Sequence, residues 1–125
     1  MEAFIGKYEM TYAEASGGNY FLAIAYEIMI TKEVDIWTIK TSTTLNTTEL
    51  KFKLDEKFDE TTPEGRDVET IVKFENNKLV TVQKAKESGE KTEKMTGELV
   101  GDELVFTTTI DGVDDFLCIQ KFKRV

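Results

Sequence analysis

Histidine is absent from this 125-residue chain, and cysteine and proline occur once each. Without an imidazole there is no Ser–His–Asp triad, no ready acid–base group near neutral pH, and no ordinary zinc site. The lone Cys118 excludes an internal disulfide and a thiolate metal cluster, so a reducing cytoplasm is the expected compartment. No apolar run approaches the ~20 residues that a membrane-spanning helix needs. Residues 1–13 lack the charged-then-apolar pattern of a secretory leader. Basic residues are scarce: 16 Lys and Arg against 24 Asp and Glu leave a net charge of −8. A surface of that sign repels phosphates, so no nucleic acid is expected as a partner and at most a transient membrane contact. Lys121, Lys123 and Arg124 form the one tight basic cluster for such a contact.

What the chain does have is alternation. Between Asp35 and Thr70, Ile36, Thr38, Lys40 and Ser42 take one parity and Trp37, Ile39, Thr41 and Thr43 the other, followed by Leu50, Phe52 and Leu54. A period of two with many β-branched residues means strands. The face carrying Trp37 to Thr43 is half apolar and half hydroxyl. That composition suits the wall of a ligand cavity, or a solvated sheet face with a stray tryptophan.

The remainder follows the same rhythm. Residues 4–13 alternate weakly, placing Phe4, Gly6, Tyr8, Met10 and Tyr12 on one parity, and residues 14–19 read as a turn with two free glycines. Residues 20–31 are strongly apolar. A short helix over 20–25 is compatible with their Ala and Leu content, but a strand is favoured because 26–31 is plainly β and no helix stop divides the two. Further strands are expected at 36–44, 49–54, 58–61, 68–75, 78–85, 91–99, 103–110 and 115–124, with turn signals such as Thr62-Pro63-Glu64-Gly65 and Asn76-Asn77 between them. About ten short strands and no long helical stripe predict one all-β domain over residues 1–125, an up-and-down antiparallel barrel or sandwich. Closure as a barrel would leave fewer exposed edges.

Candidate chemistry is sparse. Asp55-Glu56 and Asp114-Asp115 are paired acids, but both lie at turns, where acids are ordinarily solvated, and no glycine-spaced calcium loop surrounds them. Cys118 shares the inward parity of Phe116, Gln120 and Phe122, as a small buried hydrophobe does. With no nucleophile–base pair and no cofactor motif, the chain reads as a non-enzyme with no catalytic residue, cofactor or metal.

The segments GKYEM (residues 6–10), WTIKTSTT (37–44), TTELKFKLDEKFDETTPEGR (47–66) and DGV (111–113) resemble the intracellular lipid-binding proteins, which comprise the fatty-acid-, retinoid- and bile-acid-binding proteins of the cytosol. The resemblance covers residues 1–14 and about 26–125 and is most specific in 37–66. It implies a ten-stranded β-clam around a water-filled interior, acting as a monomeric cytoplasmic carrier of a hydrophobic small molecule, a fatty acid or retinoid. Carried over by position, the implied ligand-binding residues are Trp37, Ile39, Thr41, Thr43, Leu45, Arg66, Met95, Phe106, Thr108, Gln120 and Phe122, with Thr48 beside them. For Met95 and the phenylalanines the plainer alternative is core packing, and for Arg66 a turn or solvent role.

Two departures stand out. The family carries a helix–turn–helix lid between its first two strands, opened by an Asn/His/Gly–aromatic–acid motif. Asn19-Tyr20 matches the first two residues, but Phe21-Leu22-Ala23-Ile24 follows and the chain passes directly to strand-like sequence, so the lid is expected to be missing or much reduced. Fatty-acid binders also end in Arg-x-Tyr, a cationic partner for a carboxylate; here Gln120-Lys121-Phe122 stands there, like the end of the cellular retinol-binding members. A second arginine of many fatty-acid binders aligns with Gly97. Gln120 suits an alcohol or amide head or simply satisfies buried neighbours. The alternative reading is a helix-deleted barrel scaffold with weak or no ligand binding.

Overall fold

The alternation is carried into one ten-stranded antiparallel sheet. The computed structural model describes residues 1–16, 25–43, 46–62, 65–86 and 92–125. A short 3-10 turn, Glu2–Phe4, precedes β1 (Gly6–Ser16), β2 (Ala25–Glu33), β3 (Ile36–Thr43), β4 (Thr47–Phe52) and β5 (Phe58–Thr61). These are followed by β6 (Asp67–Glu75), β7 (Lys78–Ala85), β8 (Glu93–Val100), β9 (Glu103–Ile110) and β10 (Val113–Arg124). The strand order is β4-β3-β2-β1-β10-β9-β8-β7-β6-β5. Pairing of β1 with β10 rolls the sheet into a nearly closed barrel whose seam lies between β4 and β5. Phe52 and Phe58 stack across that seam with ring centroids 5.9 Å apart, and the Asp55 N–H donates to the Val72 carbonyl at 2.9 Å.

Among the described residues there is no α-helix. β1 ends at Ser16 and β2 begins at Ala25, leaving residues 17–24 to join them. At ~1.5 Å of rise per residue that stretch is too short for two helices and a turn, so the lid is much reduced. The choice between strand and helix over residues 20–25 falls largely outside the described residues.

Three local expectations are corrected. Residues 14–16 continue β1 rather than turning, since their backbone pairs with β10 as far as Ser16 opposite Leu117; a ladder of hydrogen bonds outweighs turn propensity. Tyr12 does not share the inner face of Tyr8 and Met10. The β1–β10 register shifts between Met10 and Tyr12, and one extra residue sends every later side chain to the opposite face. Tyr12 is accordingly exposed and lies beneath Lys121, whose Nζ is 5.2 Å from the ring centre. β4 ends at Phe52, not Leu54, because the chain there crosses the seam.

The barrel has a floor and a rim. At the floor tight turns join β2 to β3, β6 to β7 and β8 to β9. Asn76 and Asn77 take φ of 51° and 61° and Gly101 takes 66°, the left-handed values that short hairpins require. Trp37, Phe52, Leu104 and Phe122 belong to one buried cluster, and the N-terminal turn folds across it, with Phe4 meeting Phe74 edge-on at 5.6 Å. The Tyr8 hydroxyl donates to the Phe4 carbonyl at 2.8 Å. Arg124 donates to the carbonyls of Ile5 and Ala3 at 2.6 and 2.8 Å, tying β10 to the same turn. At the rim β5 hands over to β6, β7 to β8 and β9 to β10.

Candidate functional site

Cross-strand register sorts the inner face into layers. Nearest the floor, Leu99, Leu104, Phe122 and Met10 stand opposite one another in succession. The next layer is Leu79, Gly97, Phe106 and Gln120, and above it come Thr81, Met95, Thr108 and Cys118. Nearest the rim is the row Thr70, Gln83 and Glu93. On the other wall, Ile30, Ile39 and Leu50 form one layer, with Ile28, Thr41 and Thr48 above them and Ala25 paired to Thr43 highest. Polarity therefore rises from floor to rim.

These walls enclose a cavity offering about 160 Å³ to the centres of water-sized molecules, on the order of ten times what one water needs. Ile39, Thr41, Thr43, Met95, Phe106, Thr108, Gln120 and Phe122, all expected at the site, border it, as does Thr48. Trp37 has the same parity but lies in the floor cluster, away from the cavity, with Lys32 Nζ 5.2 Å from its ring centre. Leu45 lies outside the described residues. Arg66 does not border the cavity; its guanidinium donates to the Glu93 carboxylate, which does. That ion pair reaches over β7, since Arg66 precedes β6 and Glu93 opens β8. The Arg66 N–H also donates to Thr62 Oγ1 at 3.1 Å.

Sequence reading missed Glu60, Gln83 and Glu93, which also border the cavity. The signal was present in their spacing: Gln83 lies two residues from Thr81, and Glu93 two from Met95. In so acidic a chain a charged residue reads as solvated, which hid them. Glu60 Oε2 accepts from the Thr70 hydroxyl and from Gln83 Nε2, the latter at 3.3 Å. Gln120 is buried, and its Oε1 accepts the Ala25 N–H at 3.3 Å while Nε2 lies 3.9 Å from Cys118 Sγ. Burial pushes the Cys118 thiol above its ordinary pKa; the Gln120 contact pulls it back and the charge of Glu93 adds to the rise.

The absent arginine at residue 97 has a steric counterpart. A Cβ there would lie 2.6 Å from Phe106 Cε1, so the phenylalanine ring already fills the space above Gly97. Neither lysine nor arginine borders the cavity among the described residues. Nor do these residues contain three or more His, Cys, Asp or Glu grouped to hold a metal. No helix among them is long and apolar enough to cross a membrane.

A sheet of ten strands closed by its first and last, around a mixed apolar and hydroxyl cavity, defines a β-barrel with an internal cavity. Residues 2–125 match the model of the lipocalin / cytosolic fatty-acid binding protein family, and the chain belongs to that family. It is 44% identical over 100 residues to human cellular retinoic acid-binding protein 2, covering 78% of this chain and 70% of that protein. It is 43% identical over 75 residues to fatty acid-binding protein homolog 6 of Caenorhabditis elegans, covering 60% of this chain but only 56% of that relative's length. Among solved structures, fatty-acid-binding protein 1 of Echinococcus granulosus superposes with a TM-score of 0.82 at 28% identity, covering 100% of this chain and 99% of that one. Apo lipid binding protein 8 of C. elegans gives 0.85 at 23% identity, over 100% and 97% of the two chains, a likeness of fold alone.

Proposed function

We propose that this barrel is a non-enzymatic intracellular carrier that takes a hydrophobic small molecule, fatty-acid- or retinoid-like, into its cavity and works as a cytoplasmic monomer. The observation that carries the reading is the cavity itself: apolar at depth, hydroxyl-bearing above, and bordered by eight of the eleven positions that family resemblance assigns to ligand contact. Relatives named for binding fatty acids and retinoic acid support the ligand class. Burial of the apolar part of the ligand would drive binding at roughly 25 cal/mol for each Å² removed from water. Ile39, Met95, Phe106 and Phe122 would contact its chain, and Thr41, Thr43, Thr108 and Gln120 its polar atoms or the accompanying water. Arg66 would act on the ligand only through Glu93, and Trp37 by closing the floor beneath it.

The experiment is a titration with Nile red, an uncharged dye whose emission rises and shifts to the blue in apolar surroundings, alongside native mass spectrometry of protein taken directly from cells. Saturable binding at one site and displacement by an added lipid are expected. Absence of saturable binding by the dye and by lipids of every charge would leave the alternative, a barrel scaffold without a ligand.

A further inference from the structure

The two ends of the cavity offer unlike chemistry, and this bears on which way round a ligand sits. At depth the cavity meets Leu79, Phe106, Phe122 and Ile39, none of them charged. Gln120, the polar group in that layer, has its amide oxygen engaged by the Ala25 N–H. A carboxylate pushed to this depth would meet no cation, and a buried charge without a counter-charge or hydrogen bonds is strongly disfavoured.

The rim is different. Glu60, Gln83 and Glu93 all reach the cavity there. Glu93 is buried and bound to Arg66. A lipid carboxylate that took Arg66 for itself would leave Glu93 buried beside a second negative charge, a strongly destabilised arrangement. Glu60 has a different surrounding. Its donors are the neutral groups of Thr70 and Gln83, both on Oε2, and no cationic side chain pairs with it among the described residues. Its other oxygen has no protein donor there. Among the described residues the ionisable groups that border the cavity are thus two carboxylates, Glu93 paired with Arg66 and Glu60 with no cationic partner.

Resting on the carrier reading above for its cavity and apolar tail, but replacing the acid head with a cationic one, we infer that the cavity holds an amphiphile tail-inward, with a hydrogen-bond-donating cationic head, a long-chain primary amine, on Glu60 at the rim, and that it discriminates against lipid carboxylates. An ammonium offers three donors and no acceptor, matching a carboxylate oxygen that lacks one. Charge-assisted N–H···O contacts are about twice as strong as neutral ones. An alcohol can donate as well but adds no charge, and a carboxylate meets repulsion where the amine meets attraction.

The test uses dodecylamine, dodecanol and dodecanoate, identical in chain, displacing Nile red from the whole protein at pH 7 and low salt. The amine is expected to displace the dye at a concentration at least about tenfold below that of the acid, with the alcohol between them. Glu60→Gln, which keeps an oxygen acceptor for Thr70 and Gln83, should bring the amine-to-acid ratio below about threefold. Orientation is read by Trp37 at the floor: a nitroxide on the last carbon of the amine should quench it more than one beside the nitrogen. An acid that displaces the dye as well as the amine does overturns the inference and leaves the carrier reading intact. So does stronger quenching by the nitroxide near the nitrogen. If none of the three displaces a saturably bound dye, the inference falls and the carrier reading stands; if neither the dye nor any lipid binds, both fall.

Discussion

Phe106 holds its ring over Gly97, directly opposite on the neighbouring strand, so closely that a Cβ at residue 97 would meet its Cε1 at 2.6 Å and its Cδ1 at 3.1 Å. Glycine is required here by its neighbour's ring and not by its own backbone. Gly97→Ala is expected to lower stability by about 1–3 kcal/mol, the usual effect of overfilling a packed site. Urea unfolding should show a lower midpoint at unchanged slope. An alanine variant of full stability would mean that the ring moves aside freely.

The Arg66–Glu93 pair joins the start of β6 to the start of β8, with Glu93 buried and Arg66 mostly so. Arg66→Met removes a cationic partner of a buried carboxylate and should destabilise by roughly 2–4 kcal/mol. Removing both charges in the Arg66→Met, Glu93→Gln double variant should recover more than half of that loss. Since each residue has further partners, a double-mutant cycle in urea is the measurement that isolates the pair. A double variant no more stable than Arg66→Met alone would contradict the pairing.

Alkaline pH should unfold the barrel more readily. Burial raises the pKa of Tyr8, with Arg124 pulling it partly back, and burial raises that of Cys118. Both groups therefore stay neutral in the fold at a pH where the unfolded chain has begun to lose their protons. The fold binds the extra protons, so stability is full below the unfolded values and falls as pH rises through about 8.5 for the thiol and about 10 for the phenol. Urea midpoints followed from pH 7 to pH 11 should decline, and Cys118→Ala should remove the earlier part of the decline. A flat profile would contradict both shifts.

Val34 sits at φ 58° in the β2–β3 turn and is 87% exposed. A β-branched residue in the left-handed region is strained by roughly 1–2 kcal/mol, and at that exposure little packing offsets it. Val34→Asn should stabilise by about 1 kcal/mol and raise the melting temperature by a few degrees. A lower melting temperature would show that the valine side chain contributes something the turn conformation conceals.

Parity was legible residue by residue. Ile39, Thr41 and Thr43 were expected on one inward face and Phe106 and Thr108 on another, and all five border the cavity. Parity says which face a side chain takes, however, and not how far along the barrel axis it lies. Trp37 shares the parity of Ile39 but sits at the floor, where the 3-10 turn and Phe4 close over the barrel. Tyr12 was misplaced because a single extra residue in β1 leaves no mark in composition. Glu60, Gln83 and Glu93 escaped because an acidic or amide side chain in an acidic chain is ordinarily solvated. Only the pairing of β7 with β8 sets Gln83 beside Glu93, and only the hydrogen bond from Gln83 to Glu60 brings β5 to the same rim.

By itself the sequence determined an all-β class, because a period of two, repeated with turn residues between the runs, means strands joined by tight turns, and the family resemblance chose the barrel over the sandwich. It also determined what is missing, the lid and the two arginines, since these are matters of length and residue type. Tertiary structure alone decided what the missing parts leave behind. Pairing of β8 with β9 placed Phe106 in the space above Gly97, pairing of β6, β7 and β8 brought Arg66 across β7 to Glu93, and closure of β1 on β10 joined these layers into one wall. Those relationships join residues on different strands, and the register that joins them is a sum of many backbone hydrogen bonds and buried contacts. No local pattern records that sum.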